Sequence, residues 1–586
     1  MKKLLCLLMA LLVSTSFVAC VPVGDDGSDG NKSVLNVAVI DSGLGLAYAE
    51  EIEKDFEAYY ANTSFEDGKM GVDVKLHPGL DEYSNSTLPS TIHNLETTVY
   101  ILDRINYGNL VDQDLLVDIT DTVREVVYDK DGNLAEESGE EAVYSIEDLM
   151  ADGYSEFYTY KTNKYHGIPY RVSIGGLIYD ADLFDERGLF FTANGALGAK
   201  YADIEETKRL VDEGKDGTVS KGPDGKWGTS DDGLADTMAM FSELLKYMRT
   251  TGVMPFSFSG SYGYTRTEAF EAFHANYEGY EDFKLNYTFS GTDSTLGAVR
   301  EDVDKTHPDY YTKLLDQEGR KAALRFFQEI ASNTGNYITS GNDGYNSMDQ
   351  KQAQNEFIKS VDSNRPVAFL FEGGWWESEA RETFDLMEYD DSDWGYGKRN
   401  LRLYAYPNMI GESAVADQTN TQRVLLGNCA GEGCPIFLSK VNAAENKELA
   451  ERLGKKFIQF MNKRDQLVKF TKNTGGCLRS IVVPTDYTAE ELSTLTKYGQ
   501  SIYEYINEGA RVFFKCSIAE ARISNPTGFG TGDGGWGFWA EPAGGQRTNC
   551  PIRAFRYTVS NNNGQVASVE ELFANMKAKI LADFAG

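Results

Sequence analysis

Positive charge, histidine, proline and cysteine are all scarce in this chain. Its 586 residues hold 56 lysines and arginines against 90 aspartates and glutamates, a formal net charge of −34. So acidic a surface repels phosphate backbones and anionic head groups, which argues against nucleic acid as a partner. The five histidines include no H-E-x-x-H pair, so zinc hydrolysis has no apparatus. A G-x-S-x-G nucleophile elbow and a Walker loop are also missing. No stretch beyond the first twenty residues is long and apolar enough to cross a bilayer. Seven cysteines occur without a CxxC, and their spacings do not suit zinc.

What is present begins at the N-terminus. Met1-Lys2-Lys3 is followed by an apolar run from Leu4 to Val13, small polar residues, and Phe17-Val18-Ala19-Cys20. A run this short is a secretory signal core. Its ending resembles the lipobox of bacterial lipoproteins, with Phe17 where leucine is usual; an ordinary signal peptide is the alternative. The resemblance implies removal of residues 1–19, lipidation (palmitate included) at Cys20, and attachment to the outer face of a cell membrane. Val21 follows where enteric retention signals carry aspartate, which favours a Gram-positive or wall-less host. Residues 20–33, rich in glycine and aspartate, read as a flexible tether.

Excluding Cys6 and Cys20, the folded part keeps Cys429, Cys434, Cys477, Cys516 and Cys550, so at least one thiol is unpaired or pairs with another molecule. Cys429 and Cys434 flank a short turn and are the easiest pair to bridge.

Order begins with the apolar strand Val34 to Ile40, the glycine turn Ser42-Gly43-Leu44-Gly45, and a helix with Tyr48, Ile52, Phe56 and Tyr59 on one face. Short strands follow at Val72–Leu76 and Thr98–Leu102. Further strands read at Pro366–Phe371 and Pro435–Leu438, with helical stripes Met238, Phe241, Leu245, Met248 and Leu449, Leu453, Phe457, Met461. Asn442 and Glu445 have the spacing of a capping box for the last helix. Strand and helix in this rhythm predict an α/β architecture.

The segment from Lys164 to Leu189 contains Gly167-Ile-Pro-Tyr170, Gly175-Gly-Leu-Ile-Tyr179 and a helix from Ala181 to Gly188. It resembles the G-x-P-Y … L-x-Y-[ND]-x-x-L-F-x-x-x-G-L signature of family 1 extracellular solute-binding proteins of carbohydrate ABC importers. Arg365 to Glu377 and Cys434 to Met461 resemble two further motifs of that family, in the same order. The resemblance covers Val34 to about Pro484 and departs in length between Phe191 and Asn364. It implies a two-lobed, periplasmic-binding-protein-like fold of type II with a multi-strand hinge. Lobe 1 would comprise 34–171 and about 430–483, and lobe 2 about 172–429 and 484–586, with insertions in about 191–364. It further implies a non-enzymatic monomer that captures a carbohydrate, an oligosaccharide by expectation, and delivers it to the transmembrane subunits of a permease. A lipid-anchored glycan hydrolase and an oligopeptide receptor are the alternatives.

By that analogy the ligand meets Tyr170, Arg171, Trp375 and Trp376, with Glu372 and Arg171 serving hydroxyls and aromatic faces serving sugar rings. The alternatives are core tryptophans at 375 and 376 and an interlobe ion pair at Arg171. The glycine-rich stretch Gly528–Trp539 offers Trp536 and Trp539 as cleft-lining rings, or as buried rings of a surface loop. Ser42, Gly43 and Tyr48 sit at a turn whose backbone amides can take ligand oxygens. No cofactor is required. The glycine- and aspartate-dense stretch 212–236 offers Asp216, Asp224, Asp231 and Asp232 as ligands for a structural calcium ion, or else forms a solvated acidic turn.

Overall fold

A computed structural model describes residues 30–585 apart from 42, 80–82, 85, 104, 152, 160–161, 289–290, 300–312, 342–343, 405, 408–422, 429–433, 441–442, 515–547 and 558–565. Two main sheets organise two lobes. In the five-stranded sheet, Ser33–Val39 runs parallel to Val72–Pro78 on one side and to Val99–Ile101 on the other. Pro435–Leu438 then pairs antiparallel with Val99–Ile101 and with Gly167–Pro169. A strand from late in the chain thus completes a sheet begun at its start.

The seven-stranded sheet is built around Arg171–Asp180, and only Tyr170 separates that strand from the first sheet. Val367–Gly373 pairs with it along one edge. Along the other edge Leu478–Arg479, Val424–Asn428 and Leu401–Tyr404 pair with it in succession. Met254–Ser257 and Arg511–Phe514 extend the sheet on either side. The chain therefore passes between the sheets at 170 and again between 428 and 435, a hinge of more than one strand.

The central strands are buried on both faces, as expected when helices cover a sheet from both sides. Val367 and Leu370 belong to one apolar cluster, Phe369 and Phe371 to the other. The stripes read from sequence are the buried faces: Tyr48, Ile52 and Phe56 on Ala47–Tyr59, Met238 to Met248 on Met238–Thr250, and Leu449 to Met461 on Lys447–Met461. Ala181–Arg187 starts on the Asp180 carboxylate and ends on Gly188, whose φ of 64° is the left-handed conformation that glycine adopts without strain. One expectation is corrected. The helix before Met461 is capped by Asn446, whose Oδ1 accepts from the Leu449 N–H, because it starts at Lys447 and not beside Asn442.

Candidate functional site

In an open α/β sheet, ligands meet the carboxyl ends of the parallel strands, where loops diverge. Two neighbouring strands of the first lobe deliver aspartates there: Ser33–Val39 leads to Asp41 and Val99–Ile101 to Asp103. Asp41 shapes the following turn by accepting the Gly45 N–H at 2.8 Å. Gly43, at φ +80°, sits on that turn with no side chain to block an approach.

Across the lobe boundary, Val367–Gly373 ends in the turn that carries Trp375. A Cβ on Gly43 would lie 3.4 Å from both Trp375 Cδ1 and Glu379 Cβ, so first-lobe backbone and second-lobe side chains meet here. Gly373 has its own steric reason. A Cβ there would fall 2.3 Å from the Trp375 ring, which folds back over it.

Arg171 lies just past the lobe crossing. Its Nη2 donates to Asp103 Oδ2 at 2.8 Å, and its guanidinium carbon is 6.0 Å from the Trp375 ring centre. The Cys434 thiol donates to the other Asp103 oxygen at 2.8 Å. Burial opposes the charge on Arg171, but Asp103, with Cys434 and Cys477 nearby, outweighs it and holds the guanidinium protonated. The interlobe ion pair is therefore real.

Glu372 is buried at the end of the same second-lobe strand. Gln354 Nε2 donates to Glu372 Oε1 at 3.2 Å and to Glu379 Oε2 at 2.7 Å, and the Gly373 N–H reaches Glu372 Oε2 at 3.1 Å. Burial, then the nearby Glu379 charge, pushes the Glu372 carboxyl up to about 8. At neutral pH it is mostly protonated and able to donate a hydrogen bond. The arrangement thus offers a donor and acceptor pair in the glutamates, a fixed cation–anion pair in Arg171 and Asp103, and an aromatic face.

The residues marked from sequence divide into two groups. Gly43, Arg171, Glu372 and Trp375 come together at the lobe boundary. Tyr48, Tyr170 and Trp376 do not line it. Tyr48 and Tyr170 pack against each other at 5.6 Å and against Phe470 inside the first lobe, with Arg479 over the Tyr170 ring. Trp376 is 0 % exposed, enclosed edge-on by Phe357 and Tyr498 and tilted against Phe384. A ring so enclosed has no face for a ligand, so Trp376 takes the core alternative. Ser42, Trp536, Trp539 and Cys20 lie outside the described residues.

Asp103, Gln354 and Glu379 belong to the boundary but carry no motif of their own. Asp103 was findable as the polar residue closing an apolar strand. The other two depend on tertiary proximity. Cys434, Cys477 and Cys550 are buried, and the Cys434 thiol serves as a hydrogen-bond donor to Asp103; Cys429 and Cys516 lie outside the described residues. Of the calcium candidates, Asp224, Asp231 and Asp232 are buried close together in the second lobe. Asp216 is exposed and takes no part in their hydrogen bonds.

A surface depression lined by Asp121, Glu125, Glu448, Arg452 and Lys455 lies on the first lobe, away from the boundary. Lys455 is already paired with Asp121 and Glu451, and the depression presents no aromatic side chain, so it is a weaker candidate. Among the described residues no helix is long and apolar enough to cross a membrane.

No family model matches the chain, and neither does any curated protein. Solved structures do. Apo RafE from Streptococcus pneumoniae is 12% identical with a TM-score of 0.50, over 94% of this chain and 98% of that one. Maltose-bound MalE3 of T. maritima is 13% identical with a TM-score of 0.48, over 94% and 99%. A family 1 extracellular solute-binding protein from Bifidobacterium longum subsp. infantis is 13% identical with a TM-score of 0.46, over 94% and 100%. The likeness to RafE spans both lobes, and the fold of this chain is the two-lobed, periplasmic-binding-protein-like fold.

Proposed function

We propose that this chain is the extracellular receptor of a carbohydrate ABC importer, held to the membrane by lipid on Cys20 and handing its sugar to a permease. The observation that carries the reading is the meeting of Gly43 with Trp375 and Glu379 across the lobe boundary, above the Arg171–Asp103 pair. A sugar ring has an apolar face for Trp375 and hydroxyls for Glu372, Glu379 and the turn amides. Bound between the lobes, it adds contacts that exist only when they close, and so biases a hinge equilibrium without chemistry. The fold shared with RafE, a protein also solved with raffinose bound, supports this reading.

The test is a thermal-shift and calorimetric screen of the mature chain against neutral mono- and oligosaccharides, with peptides as controls. A ligand present at a hundred times its dissociation constant adds about 2.7 kcal/mol, a shift of a few degrees. A sugar response without release of reducing ends supports the receptor. Reducing ends would identify a hydrolase, and a response to peptides alone would move the ligand class.

A further inference from the structure

We propose that the aspartate loop 222–236 of the second lobe is a calcium site, with Asp224, Asp232 and Asp236 supplying its carboxylate ligands and Arg423 fixing Asp231 at its edge. The loop closes tightly on itself. A Cβ on Gly222, at φ +65°, would fall 2.2 Å from the Asp231 carbonyl oxygen, so glycine alone permits this approach. Each proposed ligand is anchored while keeping one oxygen spare. The Lys226 N–H donates to Asp224 Oδ1 and the Gly228 N–H to Asp232 Oδ2, both at 2.8 Å, and the Gly222 N–H holds Asp236. Asp232 Oδ1 and Asp236 Oδ1 are buried without a hydrogen-bond partner, and Asp224 Oδ2 makes no hydrogen bond but faces Arg423 Nη2 at 3.8 Å. Native interiors seldom leave charged oxygens in that state unless an ion or water takes them.

Counter-charge is short. Arg423 is shared among Asp231 at 2.9 Å, Glu508 at 3.5 Å and Asp224 at 3.8 Å. Lys221 lies over the Trp227 ring at 4.4 Å.

A second acidic group tests the choice. Glu278, Asp282 and Asp293 bring oxygens within 4.8 Å of one another, the tightest such group among the described residues. There the carboxylates already accept hydrogen bonds, Glu278 from the Gly319 N–H, Asp282 from Ser294, and Asp293 from Gln317 and Thr295, and none has an orphaned buried oxygen. The aspartate loop is wider, no three of its carboxylates meeting that spacing, so the ion draws the spare oxygens inward. Calcium, with six to eight oxygens in a tolerant geometry, suits this better than magnesium, which demands a near-ideal octahedron. The loop is also fastened to its surroundings, with the Ser230 N–H donating to Glu508 at 2.8 Å. An ion here would lock the insertion onto the edge of the second lobe.

Terbium, a calcium mimic excited through the nearby Trp227, tests the site on the chelator-treated mature chain. Micromolar terbium should give sensitised emission that calcium displaces, and calcium should raise the melting temperature by about 3 °C or more. Both responses should vanish in a D224N/D232N variant whose melting temperature in chelator equals or exceeds the parent's, since two like charges are gone. If that variant fails to fold, D236N should show the same loss. A parent with neither emission nor thermal shift, or responses that persist in the folded variant, would overturn the assignment.

Discussion

The lobe boundary and the interior of the second lobe are built from the same residue types and use them in opposite ways. Trp375 and Trp376 are neighbours in sequence. The first is 8 % exposed, folded over Gly373 and facing Gly43 of the other lobe; the second is fully enclosed by aromatic rings. The glutamates divide likewise. Glu372 and Glu379 share one amide donor at the boundary, whereas Glu377 is buried beside Trp376, pushed up to about 7 chiefly by burial. The Trp376 ring is held by the rings around it, while the Trp375 ring faces the other lobe. Composition alone cannot separate the two, and a change of one position in the chain reverses the role.

The largest expected effect breaks the interior side. Trp376→Ala should cost about 3–5 kcal/mol of stability by leaving a cavity among Phe357, Phe384 and Tyr498. Trp375→Ala should cost much less and abolish the sugar-induced thermal shift, and denaturant titration with and without ligand separates the pair. Equal losses of stability would erase the distinction. Asp103→Ala should cost a similar 3–5 kcal/mol, because it strands the buried Arg171 guanidinium at the lobe crossing. Asp103→Ala with Arg171→Met should recover much of that loss in the same titration.

A smaller effect sharpens the electrostatic side. Glu372 ionises less readily when folded, so the unfolded chain releases its proton first as pH rises above the ordinary 4.5. Stability from this group is complete below 4.5 and falls as pH climbs towards 8, by up to about 1.4 kcal/mol per unit. Glu372→Gln should flatten that portion of the melting temperature against pH. The smallest change is Gly43→Ala, where the positive φ costs about 1 kcal/mol and the added methyl meets Trp375. Its signature is weaker ligand binding, read by calorimetry, with the melting temperature of the free chain moved only slightly.

Most of the fold was legible because its strands and helical stripes are short-range patterns. The residues Val34 to Ile40, Pro366 to Phe371 and Pro435 to Leu438 announce buried strands by their own apolar runs. The pairing of Pro435–Leu438 between Val99–Ile101 and Gly167–Pro169 leaves no such local trace. The site was half legible for the same reason. Gly43, Arg171, Glu372 and Trp375 sit in recognisable turns and strand ends, but Asp103, Gln354 and Glu379 join them only through folding. Tyr48, in the first turn of a helix, and Tyr170, between two strands, misled because an aromatic at such a junction reads the same whether it faces a cleft or, as here, Phe470.

The late strand in the first sheet has a consequence in time. Synthesis from the N-terminus makes three parallel strands and Gly167–Pro169 long before Pro435–Leu438 exists to join them, and the second sheet likewise waits for Val424–Asn428 and Arg511–Phe514. Neither lobe can finish alone while the chain is emerging, and contacts this distant in sequence close slowly. On the proposed reading, in which the chain is threaded across a membrane before it folds, that delay is an advantage. The interleaving that gives the hinge its several strands also keeps the nascent chain open until nearly all of it has been made.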